Sequence, residues 1–376
     1  MDKKKIIEVS SDTNIGGAGK CLITLLENFD YGKFDVKIIL PPNSLLKPMV
    51  EENGIEVIEV EGIAEKSLDI KSIKRLKSVF KAEKPDLVHT HASMSARIAA
   101  RHAGARVIYT RHSVFPPKKY MTGFPGKQIN GAFNNYYADG IIAVADAARE
   151  NLTDTGVNAE KIRVILNGVK GLKPATETEK AELRRRFGVD DDEKVISIVA
   201  RLEDIKGHEY FIEAADMLLK DGIKAKFFIA GTGSYENTLK EKVRRLERED
   251  KIIFTGFISD VDKLMNITDI QVNASYGTEA TSLALLEGMS IGVPAVVSDF
   301  GGNPGVIKNE ENGYVVAKQN SAALKTAIHT LIKDEELYKY MSEKSVEIFN
   351  STFTAEAMTR RTEEFYLDII DRKGVK

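Results

Sequence analysis

The chain has 376 residues, room for two or three domains of roughly 150 residues, with two favoured. Hydrophobic residues make up 43%, enough for conventional cores, and 54 Lys and Arg against 56 Asp and Glu exclude a globally basic nucleic-acid coat. One cysteine, Cys21, excludes an intramolecular disulfide or a thiolate-rich metal cage; no apolar run reaches the ~18 residues of a membrane span, and the first apolar stretch breaks at Glu8, too early for a secretory leader.

In the first half, β-rich segments stand at residues 6–9, 36–40, 86–90, 106–110 and 140–144. Most precede a loop and a helical period: Ile23, Leu26 and Phe29 recur at helical spacing, so do Ile70, Ile73, Leu76 and Phe80, and 145–152 begins another helix. Strands alternating with helices of this length predict crossover units and a parallel sheet covered on both faces.

After the first strand comes Asn14-Ile15-Gly16-Gly17-Ala18-Gly19-Lys20-Cys21. It imitates the phosphate loop G-x-x-x-x-G-K-[ST], but Asn14 and Cys21 fail two of its four fixed positions, including the hydroxyl that would hold magnesium. What survives is a glycine-rich turn opening a helix, where Gly16 and Gly17 let backbone N–H groups approach an anion or a sugar. A tight turn without a ligand is the plainer alternative. Next, Lys71, Lys74, Arg75, Lys77 and Lys81 lie beside the apolar stripe of their helix. Such a face is either simply solvated or meets anionic lipid. His89 and His91 share one face at a strand end. With no Cys or carboxylate cluster close in sequence, a polar cleft wall is expected there rather than a zinc site.

The stretch 173–179, polar and containing Pro174, reads as the interdomain connection. Strands at 195–200, 226–230, 252–255, 270–273, 295–297 and 313–316 then predict a second parallel sheet. Ligands bind outside the carboxyl ends of such strands, so two sheets in tandem predict a cleft lined by loops of both. Asp190, Asp191 and Asp192 read as a solvated turn. Asp260-Val261-Asp262 imitates a carboxylate pair for a divalent metal, but Ser259, three residues before Asp262, points to a helix cap, and no metal site is expected. The last segment, amphipathic through Met358, Phe365, Leu367 and Ile370, must pack on something already built.

The most informative stretch runs from Tyr276 to Pro294. A small polar loop leads to a helix predicted from near Thr281 to Gly292, whose free N–H groups at Thr281, Ser282 and Leu283 suit an anionic diphosphate. Glu279 and Glu287 are eight residues apart, about 12 Å of rise on a helix. Carboxylate pairs that cleave one glycosidic bond sit about 5–9.5 Å apart. These two therefore suit separated parts of one elongated ligand.

This E-x7-E pattern with its following Gly-x-Pro resembles the retaining glycosyltransferases of family 4. The likeness continues through Tyr109-Thr110-Arg111-His112, Val164-Ile165-Leu166-Asn167-Gly168-Val169, Ala200-Arg201-Leu202 with Lys206-Gly207, Ala230-Gly231-Thr232-Gly233 and Phe254-Thr255-Gly256-Phe257. It implies an α/β GT-B fold: two Rossmann-like parallel-sheet domains facing across a cleft, with a C-terminal helix packing back toward the first. The domains would be 1–172 on the acceptor side, 173–353 for the nucleotide sugar, and the returning helix 354–376.

The resemblance implies catalytic roles for His112 and Glu279, which would touch the transferred sugar, and ribose contact by Glu287. Arg201, Lys206, Thr281, Ser282 and Leu283 would meet the diphosphate, Gly231 and Phe257 would lie along the nucleotide, and Gly16 and Gly17 would approach the diphosphate and acceptor side. Transfer builds negative charge on a departing diphosphate, which two cations and helix amides can stabilise without a metal. The expectation is a metal-independent transfer of a hexose or N-acetylhexosamine, from a UDP-sugar rather than a GDP-sugar, to a saccharide or lipid-linked acceptor, needing no further cofactor. Cell-surface polysaccharide or glycolipid synthesis is the expected setting. The location would be cytoplasmic, with peripheral contact to the inner face of the plasma membrane through the Lys71–Lys81 helix. A GT-B nucleotide-sugar epimerase and a non-catalytic nucleotide-sugar binding protein are the alternatives. Ala280 follows Glu279 where the family commonly has Gly, and Gly305 stands where an acidic residue is common.

Overall fold

The computed structural model describes residues 2–64, 68–91 and 93–372, and the chain divides into two compact units. The first comprises Met1–Gly168 with Ala355–Lys376, and the second Val169–Thr354. The last four residues of the predicted returning segment, 373–376, lie outside the described residues.

The first unit holds β1 (Lys4–Ser10), β2 (Phe34–Leu40), β3 (Glu56–Glu59), β4 (Leu87–His91), β5 (Arg106–Arg111), β6 (Gly140–Ala143) and β7 (Ile162–Val164). All are parallel, in the order β3-β2-β1-β4-β5-β6-β7. Side chains two residues apart share a face, so Ile6, Ile38 and Ile108 pack on Leu22 and Leu26 of the helix Gly17–Asn28. Ile7, Val9 and Ile39 pack on the other face, against Leu76 and Phe80 of the helix Ile70–Glu83 and Ala96 and Ala100 of Met94–Ala103. Burial on both faces covers the last five residues of β1 and all five of β4, which places the polar Glu8, His89 and His91 inside.

The second unit holds β8 (Lys194–Val199), β9 (Ala225–Ala230), β10 (Ile252–Gly256), β11 (Ile270–Asn273), β12 (Ala295–Ser298) and β13 (Gly313–Val316). They form a parallel sheet in the order β10-β9-β8-β11-β12-β13. Ile196, Ile198, Phe227 and Ile229 face one core, while Val195, Phe228 and Ala230 face another.

Two edge strands, β3 and β7, escape the sequence reading because they are short and only half-buried. The stretch 173–179 is an open connection only in part. Thr176 accepts from the backbone N–H of Glu179, whose carboxylate accepts from the N–H of Thr176 at 2.8 Å. This capping box starts the helix Glu177–Arg186, which buries no residue and so shows no apolar period.

The final helix, Ala355–Asp371, belongs to the first unit. Its Phe365, Tyr366 and Ile369 enter the core beside Leu26, Phe29 and Phe34. A Cβ on Gly140 would lie 2.7 Å from Phe365 and 2.9 Å from Ile369, so the helix rests directly on the backbone of β6. Phe365→Ala should therefore destabilise the first unit by about 3–5 kcal/mol, read as an earlier transition in urea unfolding of the full chain. An unchanged transition would mean that this helix contributes nothing to the core.

Candidate active site

In the second unit the strand order reverses between β8 and β11, where loops leaving the carboxyl ends of strands leave room for a ligand. The loop after β8 carries Arg201, which is exposed, and then a turn, Asp204–Lys206. Gly207 closes this turn at φ 72°, and a Cβ there would meet the carbonyl oxygen of Ala274 at 2.1 Å. The loop after β11 is tied to it: Tyr276 donates its N–H to the carbonyl of Ile205 at 2.9 Å and its hydroxyl to Asp204 at 2.6 Å.

At the join, Lys206 Nζ donates to the carbonyl of Thr278 and to Glu279 Oε2, both at 3.0 Å. The same oxygen accepts from Asn273 Nδ2 at 3.1 Å and Ser275 Oγ at 3.2 Å. Glu279 is buried, and three donors replace the water it loses. From behind, Gly302 donates its N–H to the carbonyl of Glu279 at 3.1 Å, and Gly301 is pressed against that carbonyl at φ 60°. A Cβ on Gly305, the residue at which the sequence departs from the resemblance, would meet nothing within 4 Å among the described residues.

The helix after this loop begins later than the sequence suggested, at Leu283, and ends at Ser290. Ser282 is its cap, accepting from Leu285 N–H at 3.4 Å, so the free amides of the first turn belong to Leu283 and Ala284 rather than to Thr281 and Ser282. Glu279 lies in the preceding loop while Glu287 lies on the helix, so a helical rise does not measure their separation. Gly231, at the end of β9, has φ 141°, and its Cβ would lie 2.0 Å from the carbonyl of Ala200. Phe257, just past β10, is 78% exposed. The predicted Ser259 cap is absent: Asp260 occupies the cap position and pairs with Lys263 at 2.6 Å.

In the first unit the reversal falls between β1 and β4. Gly16 and Gly17 open the helix Gly17–Asn28, and a Cβ on either would meet nothing within 4 Å. Across the sheet, the register pairs Glu8 with His89 and His91 with Thr110. His89 and His91 are buried, so they are interior groups, not a wall, and a carboxylate does stand beside them. Glu8 Oε2 lies 3.0 Å from both His89 Nδ1 and His91 Nε2, and Glu8 Oε1 accepts from the Tyr366 hydroxyl at 2.7 Å. His89 Nε2 meets Thr110 Oγ1 at 2.7 Å, and His91 Nδ1 meets His112 Nε2 at 2.8 Å. The remaining ring nitrogen of His112, Nδ1, is buried without a partner.

Burial pushes the Glu8 carboxyl up, but the two imidazoles donating to it outweigh this and hold it well below the usual carboxylate range. Burial pushes His89 down against the attraction of Glu8. His112 is pushed well down by burial and by the neighbouring histidines. Glu8, His89 and His91 bring their ligand atoms within 4.8 Å of one another, as around a metal. Hydrogen bonds account for that closeness: both oxygens of Glu8 and both nitrogens of each ring already have partners.

Sequence reasoning missed Glu8, Asn273, Ser275 and Tyr366. Glu8 had one available signal, a carboxylate inside an otherwise apolar parallel strand. On the helix Ile70–Glu83, Leu76 and Phe80 are consumed by the core, so what faces outward is mainly charge.

The family described as Glycosyltransferase Family 4 matches residues 15–170, and the family described as Glycosyl transferases group 1 matches 179–347. The chain belongs to the glycosyltransferases of this two-domain type. It is 26% identical over 392 residues to the UDP-Gal:alpha-D-GlcNAc-diphosphoundecaprenol alpha-1,3-galactosyltransferase of Escherichia coli, spanning 99% of this chain and 98% of that one. It is 29% identical over 306 residues to the alpha-monoglucosyldiacylglycerol synthase of Streptococcus pneumoniae, 76% of this chain and 67% of that one. The crystal structure of Anabaena HepE in complex with UDP superposes with a TM-score of 0.85 at 21% identity, covering 97% of this chain and all of that one (100%). The fold is GT-B.

Behind Lys206 of this glycosyltransferase, His208 is buried with neither ring nitrogen bonded, and burial with the nearby Lys206 charge lowers its pKa from 6.5 to about 4. A folded-state value below the unfolded one means the unfolded chain takes the proton first as pH falls. Stability is then full above pH 6.5 and falls by about 3 kcal/mol by pH 4. Urea unfolding of wild type and His208→Leu across that window should show this component in the wild type alone. Equal slopes in the two would refute the assignment.

Proposed function

We propose that this glycosyltransferase moves a hexose or N-acetylhexosamine from a UDP-sugar to a saccharide or lipid-linked acceptor, with retention at the anomeric carbon and without a metal. The observation that carries the reading is Lys206, held at the junction of two strand-end loops beside Glu279. The UDP bound by HepE supports a uridine donor. The named activities of the Escherichia coli and Streptococcus pneumoniae relatives support acceptors built on lipid.

In this reading Arg201, Lys206 and the amides of Leu283 and Ala284 neutralise the diphosphate as the anomeric C–O bond breaks. Glu279 holds hydroxyls of the sugar, Glu287 those of the ribose, and Phe257 offers its exposed ring to the base. Gly16 and Gly17 admit the diphosphate or acceptor to their backbone amides, and His112 touches the transferred sugar. The acceptor oxygen bonds to the anomeric carbon on the face the diphosphate leaves, and its proton passes to the departing phosphate oxygen. No protein nucleophile is required.

Lys206→Ala should lower kcat by about 10²–10³-fold with circular dichroism unchanged. Unaltered turnover would remove the basis of the reading. Incubation with donor alone separates an epimerase, which makes a new sugar without acceptor, and calorimetric binding without product from any acceptor would mark a binding protein. The anomer of the product tests retention, and full activity in chelator tests metal independence.

Peripheral contact with a cytoplasmic membrane face belongs to the same proposal. No helix among the described residues is long and apolar enough to cross a membrane. Lys71, Lys74, Arg75 and Lys81 face outward with Ile70, while Leu76 and Phe80 do not, so attraction by this helix would be mainly electrostatic. Sedimentation with vesicles containing anionic lipid should fall steeply as salt is raised. Equal binding to neutral vesicles would exclude this helix as the contact.

A further inference from the structure

Three histidines and a carboxylate lie together at the carboxyl ends of β1, β4 and β5, and the proposed chemistry uses only His112. We propose that Glu8 and His91 are positioning residues that fix His112 as its Nε2–H tautomer and thereby present its Nδ1 lone pair to a hydroxyl of the transferred sugar. This rests on the reading of His112 as the residue touching that sugar.

The argument starts at the buried end. Glu8 sits among donors: Tyr366 on one oxygen, His89 and His91 on the other. An ionised carboxylate only accepts, so the His91 proton lies on Nε2, 3.0 Å from Glu8. His91 Nδ1 then carries a lone pair, and across the 2.8 Å contact His112 Nε2 must donate. His112 Nδ1 is left as an acceptor, and it is the one ring nitrogen of these three histidines without a partner. The opposite arrangement would require an imidazolium at the buried His91, with ring centroids 4.3 Å from His89 and 5.1 Å from His112. Burial makes that arrangement costly.

The arrangement also has a consequence for binding. When a hydroxyl donates to Nδ1, the His112 ring gains positive character, which strengthens its Nε2–H bond to His91 and in turn the bond from His91 to Glu8. No proton has to leave the chain of bonds. His89 stands outside this line: its Nδ1 is shared between Glu8 and the Tyr366 hydroxyl, its Nε2 meets Thr110, and neither nitrogen contacts His112.

The test uses the full chain labelled with ¹⁵N-histidine, and long-range proton–nitrogen correlation spectra that report which ring nitrogen carries hydrogen. At neutral pH His112 should be protonated at Nε2 and bare at Nδ1, a result that needs no variant. His91→Leu should redistribute that proton and lower kcat about 10- to 100-fold with donor KM changed far less. His91→Asn, whose amide oxygen can accept from His112 Nε2–H, should recover most of the loss, and Glu8→Gln offers a milder break. Hydrogen on Nδ1 of wild-type His112 overturns the proposal. So does a His91→Leu protein with full kcat where His112→Ala is crippled. If His112→Ala itself keeps full turnover, the reading of His112 at the sugar is what fails.

Discussion

A parallel sheet whose strand order reverses leaves the carboxyl ends of the two central strands uncovered, because the crossovers on either side of the reversal depart to opposite faces. In the first unit the helix after β1 packs on one face and the helix after β4 on the other. The space above the strand ends is then enclosed only by loops. The second unit repeats the constraint at β8 and β11, bringing Lys206 to Glu279 across 73 residues of sequence. Apart from Glu287, which lies within a helix, the polar groups assigned a part in the chemistry hang on a strand end or on the loop or helix start beyond it. Their positions are therefore set by the sheet's hydrogen-bond register, not by local chain flexibility.

The buried carboxylates Glu8 and Glu279 solve the same desolvation problem differently. Glu8 is surrounded by neutral donors, which keep it charged without a counter-ion and make it a fixed end point for a chain of hydrogen bonds. Glu279 instead pairs with a cation. Part of the Lys206 charge is thus already committed, and a diphosphate would draw on what remains together with the exposed Arg201 and the amides at Leu283 and Ala284. The cost of separating Lys206 from Glu279 is reduced because Asn273 and Ser275 would still hold the carboxylate.

Legibility in the sequence followed residue type at the strand positions. β11, buried at every position, and the edge strand β13, Gly-Tyr-Val-Val, both read to the residue. The edge strands β3 and β7 did not, since Glu56, Glu59 and Arg163 dilute the pattern where one side meets solvent. Glu8 looked like a charge ending an apolar run. Its neighbours come from β4, β5 and the final helix, and only the register Glu8↔His89 shows the cluster. The helix start at Leu283 was misplaced for a related reason: the loop before it is held by Gly301 and Gly302 pressing on the carbonyl of Glu279, a contact between segments distant in sequence.

Glycines of the motif set divide on a physical criterion that sequence alone does not supply. Gly207, Gly231 and Gly301 all have positive φ and would each bring a Cβ within about 2 Å of a carbonyl oxygen. Their identity is fully explained by one loop lying on another, whatever the loops bind. Gly16 has φ −100°, which any residue adopts, and a Cβ on it or on Gly17 would meet nothing within 4 Å among the described residues. Packing and backbone conformation give no reason for glycine there. What the missing side chains leave is bare amide surface at the start of a twelve-residue helix, facing the same reversal of strand order as His91. The proposed approach of a diphosphate or acceptor would use that bare surface, a reading that rests on packing rather than on the resemblance of the segment to a phosphate loop.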